Sequence, residues 1–376
     1  MRKIELVDLK SQYLKIEAEV DKALQEVLHT TSFINGPAVK NFQENLSQYL
    51  GNVQVVPCAN GTDALQICMM ALDLQPGDEV ILPAFTYAAT AEVIALLKLV
   101  PRFVDVDEQT FNIDPMQFEA AISPKTKAVV PVHLFGQCAD MEPLLQIAAA
   151  HKIAVIEDTA QAIGAQYTFT DNRQAFAGAM GEMGSTSFFP SKNLGCYGDG
   201  GAIFTQNIQL AEQAKMIANH GQSSLYYHDI VGVNSRLDSM QAAILDVKLK
   251  HLPGYVAARQ KAAAMYDERL RNLEQIKLPY RFSKSTHVFH QYTLTLTDGS
   301  RDALQQALTA QGIPNKIYYP VPLHLQKAYN LVGYTAGDMP VAEKLTHSVL
   351  SLPMHTELDE EQIDFICNSI QTFYTK

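Results

Sequence analysis

The sequence predicts an α/β fold, with a mainly parallel central sheet carrying helices on both faces and a smaller C-terminal α+β domain. Apolar strand-like runs alternate with helical patterns through the first half of the chain, which is typical of parallel βαβ units. The runs are apolar at nearly every position, as expected of strands that are buried on both faces. With 376 residues, the chain is long enough for a large core and a second, smaller domain.

The predicted elements follow one another in a regular order. The first four strands are DEVILP, PRFVDV, KAVVPVH and IAVIED, and helical patterns over 88–98, 115–122 and 140–151 separate them. The segments SFF and GAIFTQ predict two more strands, one on each side of a loop that contains Lys192. From Arg236 the pattern is helical to about 273, and it is followed by a strand at HQYTLTLT and helices over 302–311 and 358–373. We expect a large domain over residues 1–250 and a small one over 251–376.

Composition excludes several classes of protein. The net charge of −11 argues against binding to nucleic acid or to an anionic membrane surface. No apolar run reaches the roughly 18 residues of a membrane helix, and the start MRKIELVDLK lacks the features of a signal peptide, so a cytoplasmic location is expected. The five cysteines and eleven histidines show no disulfide-framework or metal-ligand spacing, so we expect no bound metal.

Lys192 is the most informative residue of the chain. It lies in SFFPSKNLGCYGDGG, after a strand-like run and before a cluster of glycines that allow close approach of the backbone. Burial in such a place lowers the pKa of an amine and makes it a nucleophile able to form a Schiff base. Pyridoxal phosphate uses such a lysine, together with a carboxylate opposite its pyridine nitrogen. Asp158, at the carboxyl end of the strand IAVIED, can supply that carboxylate, although a solvated surface lysine is the simpler reading of Lys192 alone.

A candidate phosphate site lies upstream, in CANGTDALQICMMALDL. Asn60, Gly61 and Thr62 directly precede a helical pattern. Free amides at the start of a helix, its dipole and the threonine hydroxyl would all favour a bound dianion. An ordinary N-cap is the alternative.

Taken together, these segments resemble the DegT/DnrJ/EryC1/StrS family of sugar-nucleotide aminotransferases, which are pyridoxal-phosphate enzymes of fold type I. The resemblance runs nearly end to end, through IELVDLKSQY, INGPAVKNFQENLSQYLG, CANGTDAL, GDEVILPAFTYAATAE, PRFVDVD, PVHLFGQCADM, VIEDTAQAIGA, SFFPSKNLGCYGDGGA, GVNSRLDSMQAAIL, YYPVPLHLQKAY and SLPMH. Within the family, the segments SFFPSKNLGCYGDGGA, GQCAD and GVNSRLD look most like 3-aminotransferases that act on a UDP-linked 2-acetamido-3-oxo-glucuronic acid.

The resemblance implies a role for each matching residue at the cofactor. Lys192 would hold the cofactor and move the proton, and Asp158 would keep the pyridine nitrogen protonated. Gln161 would bond the phenolic oxygen, and Tyr87 would stack on the ring unless it packs in the core. Phosphate would be bound by Gly61, Thr62 and Ser187, and by Asn234 reaching across the interface of a homodimer with shared active sites. Ser191, Asn193 and Asp63 fit ordinary turn or cap roles equally well.

Three further residues are assigned to substrate binding. Arg236 follows Asn234 closely and could bind a uronate carboxylate, although a solvated side chain or a pair with Asp238 explains it equally well. Many relatives have His-Tyr-Pro before the PLH segment, whereas this chain has Tyr318 first, which could donate in place of the histidine or simply pack. His324 belongs to the PLH segment itself.

The expected function is the transfer of an amino group from L-glutamate to a nucleotide-linked keto sugar by ping-pong kinetics. The acceptor we favour is UDP-2-acetamido-2-deoxy-3-oxo-glucuronate, in the synthesis of a surface polysaccharide such as O-antigen. Another 3- or 4-aminotransferase, acting on a dTDP- or UDP-linked keto-deoxysugar, is the nearest alternative. A non-catalytic regulator that binds the cofactor or a nucleotide sugar is an alternative of another class, although it would not need the amine of Lys192.

Overall fold

The computed structural model describes residues 2–329 and 332–375. Its strands form a seven-stranded central sheet, a three-stranded C-terminal sheet and two short hairpins. In chain order the strands are β1 Gln54–Cys58, β2 Glu79–Pro83, β3 Val100–Val104, β4 Thr126–Val129, β5 Ala154–Asp158, β6 Gln166–Thr168, β7 Gln174–Phe176, β8 Met183–Ser187, β9 Gly201–Thr205, β10 Gln222–Ser224, β11 Tyr227–His228, β12 Ile276–Lys277, β13 Tyr292–Leu296 and β14 Val349–Leu352.

The helices connect and cover these strands. They are α1 Leu9–Thr30, α2 Pro37–Tyr49, α3 Gly61–Ala71, α4 Ala89–Leu96, α5 Pro115–Ala120, α6 Met141–His151, α7 Ile208–Ala218, α8 Ser239–Leu270, α9 Arg301–Ala310, α10 Pro340–Ser348 and α11 Glu360–Thr375. Short 3-10 turns lie at Leu134–Gly136 and Leu323–Leu325.

The central sheet is mainly parallel, as predicted. Its strand order is β1-β9-β8-β5-β4-β2-β3, and the five strands from β8 to β3 run parallel to one another. Only β9 runs antiparallel to its neighbours, which are β1 and β8. The carboxyl ends of the parallel strands therefore meet along one edge of the sheet, where ligands of open α/β sheets bind.

Both faces of this sheet are buried. Alternate residues of one strand join different hydrophobic clusters: Val80 and Leu82 pack with α3, α4 and α7, whereas Ile81 packs with α5 and α6. Because side chains of a strand alternate between the two faces, each face carries its own layer of helices. The apolar runs in the sequence are explained by this double burial.

Helix α8 links the central sheet to the C-terminal part. Leu245 and Leu252 in its first half pack with α2 and the central sheet, whereas Tyr266 and Leu270 in its second half pack with the three-stranded sheet and α11. Residue 250, the predicted boundary between domains, thus falls inside one continuous helix. Ile4 from the amino terminus joins the C-terminal cluster. The division at residue 250 stays a prediction.

The strand before Lys192 ends earlier than the sequence suggested. The run SFF was expected to be a strand, but β8 stops at Ser187 and leaves both phenylalanines outside it. The chain turns there because the carbonyl of Phe189 accepts a hydrogen bond from the Lys192 amide at 2.8 Å. The early turn brings Lys192 back toward the edge of the sheet.

Two features are absent from the described residues. No helix in residues 2–329 and 332–375 is both long and apolar enough to cross a membrane. The same part of the chain contains no group of three or more His, Cys, Asp or Glu side chains placed to hold a metal ion.

Candidate active site

A cavity of about 840 Å³ opens at the carboxyl edge of the central sheet. Strand β5 ends there with Asp158, β8 ends with Ser187, and the chain after β2 contributes Tyr87. Most of the residues expected at the cofactor line this cavity, together with one expected at the substrate: Gly61, Thr62, Tyr87, Asp158, Gln161, Ser187, Lys192 and Tyr318. The structure thus brings together residues that the sequence spreads over more than 250 positions.

Lys192 projects into the cavity and keeps partial exposure there. Burial of its amine lowers the pKa from 10.5 to about 8, and the nearby Asp158 carboxylate opposes that shift. At pH 7 about a tenth of such an amine is uncharged, several hundred times the fraction for an ordinary lysine, and an uncharged amine is the nucleophilic form. Lys192 is therefore equipped to attack a carbonyl carbon.

Asp158 is only 7% exposed and is held firmly at the end of β5. One carboxylate oxygen accepts from the Thr90 hydroxyl at 3.0 Å, and the other accepts from the Ala160 amide at 3.1 Å. These bonds fix the carboxylate while leaving lone pairs that can face a ligand. Thr90 was not anticipated from the sequence.

The start of helix α3 forms one wall of the cavity. The Asn60 side chain caps the helix by accepting from the Asp63 amide at 2.8 Å, whereas Gly61 and Thr62 occupy the first turn, whose amides have no acceptor within the helix. A β-carbon at Gly61 would lie 2.6 Å from that of Ser187, so only glycine allows helix and strand to approach this closely. The result is a compact set of amides and hydroxyls at the positive end of a helix dipole.

Aromatic and amide groups form the rest of the wall. Tyr87 is 62% exposed, which rules out the alternative that it packs in the core. Gln161 donates to the Tyr319 hydroxyl at 3.0 Å and accepts from the Phe135 amide at 2.8 Å, so its orientation is set by both ends of its amide. Its second N–H remains available to a ligand.

Three predicted site residues lie outside this cavity. Asn234 is exposed and pairs through its backbone with Asn219, whose side-chain oxygen accepts from the Arg236 guanidinium at 2.9 Å. His324 is fully buried, with Nε2 3.1 Å from a carboxylate oxygen of Glu343. The structure thus separates Asn234 and Arg236 from the cavity of their own chain, and it encloses His324 beneath the surface.

The cavity also contains residues that the sequence did not single out. His290 and Gln291 line it from the segment just before β13, and Phe189 and Tyr319 add aromatic surface. The sequence placed His290 and Gln291 inside a strand, but β13 begins only at Tyr292. The position of His290 at the start of the predicted strand was the one feature of the sequence that could have indicated its place in the cavity.

The charge of the cavity is unusual for a site that binds anions. Among its described lining residues the carboxylates are Asp63, Asp158 and Asp199, and Lys192 is the one lysine, with no arginine. Backbone amides and hydroxyls near α3 can hold one phosphate group. Further anionic groups of a ligand would need cations from elsewhere.

These features fit pyridoxal phosphate. The lysine with a lowered pKa, the fixed carboxylate and the helix start supply an amine for an aldehyde, an anion for a pyridinium and a seat for a phosphate. Because Gly61 has no side chain, the amides of the first turn of α3 stay open to the cavity.

Comparison with known sequences gives consistent relatives. The chain is 46% identical over 99% of its length, and 98% of the relative's, to a "pleiotropic regulatory protein" of Geobacillus stearothermophilus. It is also 46% identical, over 98% of its length and 99% of the relative's, to the UDP-2-acetamido-2-deoxy-3-oxo-D-glucuronate aminotransferase of Pseudomonas aeruginosa. A UDP-N-acetyl-3-dehydro-alpha-D-glucosamine 3-aminotransferase of Acidithiobacillus ferrooxidans is 44% identical over 98% of this chain and 97% of that protein.

Solved structures and a family model agree with these relatives. A DegT/DnrJ/EryC1/StrS aminotransferase from Brucella abortus superposes with a TM-score of 0.94 at 40% identity, over 99% of this chain and 100% of that one. NtdA from Bacillus subtilis, solved with bound PMP, superposes with a TM-score of 0.90 at 31% identity over 100% and 86% of the two chains. The model of the DegT/DnrJ/EryC1/StrS aminotransferase family matches residues 14–371. The chain therefore belongs to this family and is a pyridoxal-phosphate-dependent sugar-nucleotide aminotransferase of fold type I.

Proposed function

We propose that the chain transfers the amino group of L-glutamate to C3 of UDP-2-acetamido-2-deoxy-3-oxo-glucuronate, in the synthesis of a surface polysaccharide such as O-antigen. The observation that carries this choice is the 46% identity, over nearly the full length of both chains, to an aminotransferase named for that substrate. The relative at 44% identity is named for the neutral UDP-linked 3-oxo sugar, which supports both UDP and C3.

We infer that the cavity residues share the binding of the cofactor. Lys192 holds it covalently, Asp158 keeps a proton on the pyridine nitrogen, and the free N–H of Gln161 bonds the phenolic oxygen. Tyr87 covers one face of the ring. The phosphate is held by the helix start and nearby hydroxyls, from Gly61, Thr62 and Ser187.

Lys192 has a second task in this proposal. The bound cofactor supplies an electron sink for the carbon that loses or gains the amino group. With its amine free in the cavity, Lys192 would be the residue that accepts and returns the proton of that carbon. Its pKa of about 8 suits this task, because an amine near the working pH both accepts and releases a proton readily.

We further propose a homodimer in which each cavity is completed by the partner. Asn234 and Arg236 lie outside the cavity of their own chain, next to a segment with four strongly exposed apolar side chains, which are Leu225, Tyr226, Tyr227 and Val231. In a two-fold dimer such a segment reaches the partner at two equivalent places. Asn234 would then bind phosphate, and Arg236 would supply the cation that the cavity lacks.

Tyr318 would contact the sugar from within the chain. The ring of His324 is buried and pairs with Glu343 outside the cavity, so it would not bind substrate directly.

A product assay tests the substrate. The enzyme is run in reverse with 2-oxoglutarate and a panel of UDP- and dTDP-linked amino sugars, and the products are identified by mass spectrometry. We expect the UDP-linked 3-amino-glucuronate to react fastest. A faster reaction with a dTDP-linked deoxysugar would assign the chain to the alternative substrate class.

Arg236→Leu tests how the uronate is recognised. If the guanidinium binds the C6 carboxylate, kcat/KM for the uronate should fall by about 10- to 100-fold, as expected for one charge-assisted bond, with a smaller loss for the neutral UDP-linked hexose. Arg102→Leu is a suitable control, because Arg102 lies outside the cavity in an ion pair with Glu79. An equal loss for both sugars would remove the carboxylate role from Arg236.

A simple optical assay separates the enzyme from a regulator on the same scaffold. The holoenzyme should absorb visible light and lose that absorbance when glutamate is added. This distinction between enzyme and regulator matters because one relative at 46% identity has the name of a regulatory protein. A cofactor band that persists with every amino donor would favour the regulator.

A further inference from the structure

Ser235 lies between Asn234 and Arg236, but its side chain faces the interior of its own chain. Asn234 is exposed, whereas Ser235 is fully buried. Side chains that follow one another along an extended segment point to opposite sides, which explains this contrast between neighbours. The Ser235 hydroxyl accepts a hydrogen bond from the Ala59 amide at 3.1 Å. Ser235 therefore contacts the loop 59–62, here called the phosphate loop, at its first residue.

The phosphate loop also packs closely against two strands. A β-carbon on Gly61 would lie 2.6 Å from that of Ser187 in β8, and one on Gly201 of β9 would lie 2.4 Å from the carbonyl of Asn60. These are van der Waals contacts, which limit how near the loop comes to the strands but have little directional preference. A hydrogen bond depends on direction as well as distance. The bond to Ser235 therefore orients the loop where the chain enters α3.

Ser235 is itself held by helix α7. Its amide donates to the carbonyl of Ala218, at the end of that helix, at 2.9 Å, and the Val233 amide donates to the carbonyl of Ile217 at 2.8 Å. Helix α7 packs with α3 in one hydrophobic cluster, which includes Ile217 and, from α3, Leu65. The Ser235 hydroxyl is thus a fixed acceptor within the same packed unit as the helix that the phosphate loop begins.

We propose that Ser235 is a positioning residue for the phosphate loop of its own chain. Its hydroxyl holds the Ala59 amide and thereby directs the amides of Gly61 and Thr62 toward a bound phosphate. In the proposed dimer Asn234 reaches the site of the partner, so two consecutive residues serve different sites. The first part of this inference rests on the proposed assignment of the cofactor phosphate to this loop, and the second part rests on the proposed dimer.

Two buried serines allow a matched comparison. Ser239 is also fully buried, and its hydroxyl accepts from the Gly36 amide at 3.2 Å, but neither of these two residues lines the cavity. Ser235→Ala and Ser239→Ala each remove the acceptor of one backbone amide, so both should lower the thermal unfolding midpoint by a similar amount. Apoenzyme of each variant is titrated with pyridoxal phosphate and with pyridoxal, which has the same ring and aldehyde but no phosphate.

We expect Ser235→Ala to raise the dissociation constant of pyridoxal phosphate by about 5- to 10-fold, as for the loss of one hydrogen bond, and to leave that of pyridoxal nearly unchanged. For Ser239→Ala both constants should stay at the wild-type values. Equal changes for the two ligands, or equal effects of the two variants on pyridoxal phosphate, would overturn the proposal.

Thr62→Ala separates a failure of Ser235 from a failure of the phosphate assignment, because it removes a hydroxyl of the loop itself. If Thr62→Ala also leaves the affinity for pyridoxal phosphate unchanged, this loop does not bind the phosphate. If Thr62→Ala weakens binding and Ser235→Ala does not, the loop keeps its assignment and Ser235 loses its role.

Heterodimers with one working lysine test which site Ser235 serves. A chain with Lys192→Ala is paired, by means of two affinity tags, with a chain that keeps Lys192, and the visible absorbance reports pyridoxal phosphate at the one lysine. Ser235→Ala should weaken binding when it lies in the chain that keeps Lys192 and have no effect in the other chain. Asn234→Asp should show the reverse pattern.

A Ser235→Ala effect from the chain that lacks the lysine would overturn the proposal. An Asn234→Asp effect confined to its own chain would overturn the second part together with the shared site, and the titrations would still decide the first part.

Amide hydrogen exchange of the wild-type apoenzyme tests the same contact without any variant. The Ala59 amide, which Ser235 holds, should exchange more slowly than the amides of Gly61 and Thr62, which have no acceptor within the helix. Inorganic phosphate should then slow exchange at Gly61 and Thr62. An Ala59 amide that exchanges as fast as theirs in the apoenzyme would contradict the proposal, even if Ser235→Ala failed to fold.

Discussion

The wall of the cavity and the segment 219–236 differ in how many of their side chains find partners or cover within one chain. In the wall, Asp158 and Gln161 each have hydrogen-bond partners in the same chain, and Lys192 lies beside them. In the segment, Tyr226 and Val231 are more than 80% exposed, so large apolar side chains face the surroundings without cover. Exposed apolar patches of this kind mark interaction surfaces. The amine and its carboxylate therefore lie within one chain, whereas the segment is the surface on which the proposed dimer depends.

A second contrast concerns two lysines whose pKa is lowered by burial. Lys248 of α8 is 1% exposed, and burial lowers its pKa to about 8, as for Lys192. It lies over the ring of Tyr197 at 5.3 Å and does not line the cavity. A lowered pKa is thus shared by both lysines, and access to the cavity distinguishes them.

The largest expected effect separates these two lysines. Lys192→Ala should reduce steady-state transamination by about 10³-fold or more, because one side chain supplies both the covalent attachment and the proton transfer. The variant should stay folded and bind pyridoxal phosphate without a covalent bond. Lys248→Met is the matched control and should retain most of the turnover. The measurement is kcat with glutamate, and substantial turnover by Lys192→Ala would exclude its catalytic role.

Asp158→Asn should have the next largest effect. Without the negative charge, the pyridine nitrogen loses the partner that favours its protonation, and we expect kcat to fall by about 10²- to 10³-fold. The amide oxygen can still accept from the Ala160 amide, and the amide nitrogen can donate to the Thr90 hydroxyl oxygen, so the thermal unfolding midpoint should change little. A kcat near that of the wild type would mean that another group holds the ring proton.

Mixing inactive variants tests the proposed division of the site between two chains. Asn234→Asp should be weak because a second negative charge repels the phosphate dianion. In a heterodimer with Lys192→Ala, one site carries both changes and the other carries neither. Co-expression should therefore restore about a quarter of wild-type activity at random pairing, far above either parent.

The control for that mixture comes from within the cavity. Asp158→Asn combined with Lys192→Ala leaves every site damaged, because both residues line the cavity of the same chain. No recovery is expected there. Equal recovery in both mixtures, or in neither, would contradict the shared site while leaving the cavity itself intact.

The sequence predicted the parts of the site that depend on local pattern. Asp158 could be placed because parallel strands bring their carboxyl ends to one edge, and Lys192 because its own neighbours suit a turn beside a strand. His290 could not be placed, since the predicted strand included it, whereas in the structure that strand begins at Tyr292 and the segment before it is held by distant backbone contacts with Phe135 and Gly136. For the same reason no pattern around His324 indicated that Glu343 would enclose it. Long-range packing decides such positions, and spacing along the chain does not encode it.

The smallest expected effect concerns stability, and it should be common to both lysines. The folded pKa of Lys248, about 8, lies below its unfolded value of 10.5. Below pH 8 both states hold the proton, and the folded state bears the full cost of a buried charge. Between pH 8 and 10.5 the folded state releases the proton first, so the unfolded state binds more protons and stability rises with pH.

Lys248→Met removes this dependence, so its stability relative to the wild-type apoenzyme should be greatest near pH 7.5 and should decline by about 1–2 kcal/mol toward pH 9.5. Urea unfolding at the two pH values measures the difference, and Lys192→Met should show a change of the same sign but smaller, since Lys192 is partly exposed. A relative stability of Lys248→Met that is independent of pH would mean that the buried amine keeps its ordinary pKa, and the comparison between the two lysines would then rest on turnover alone.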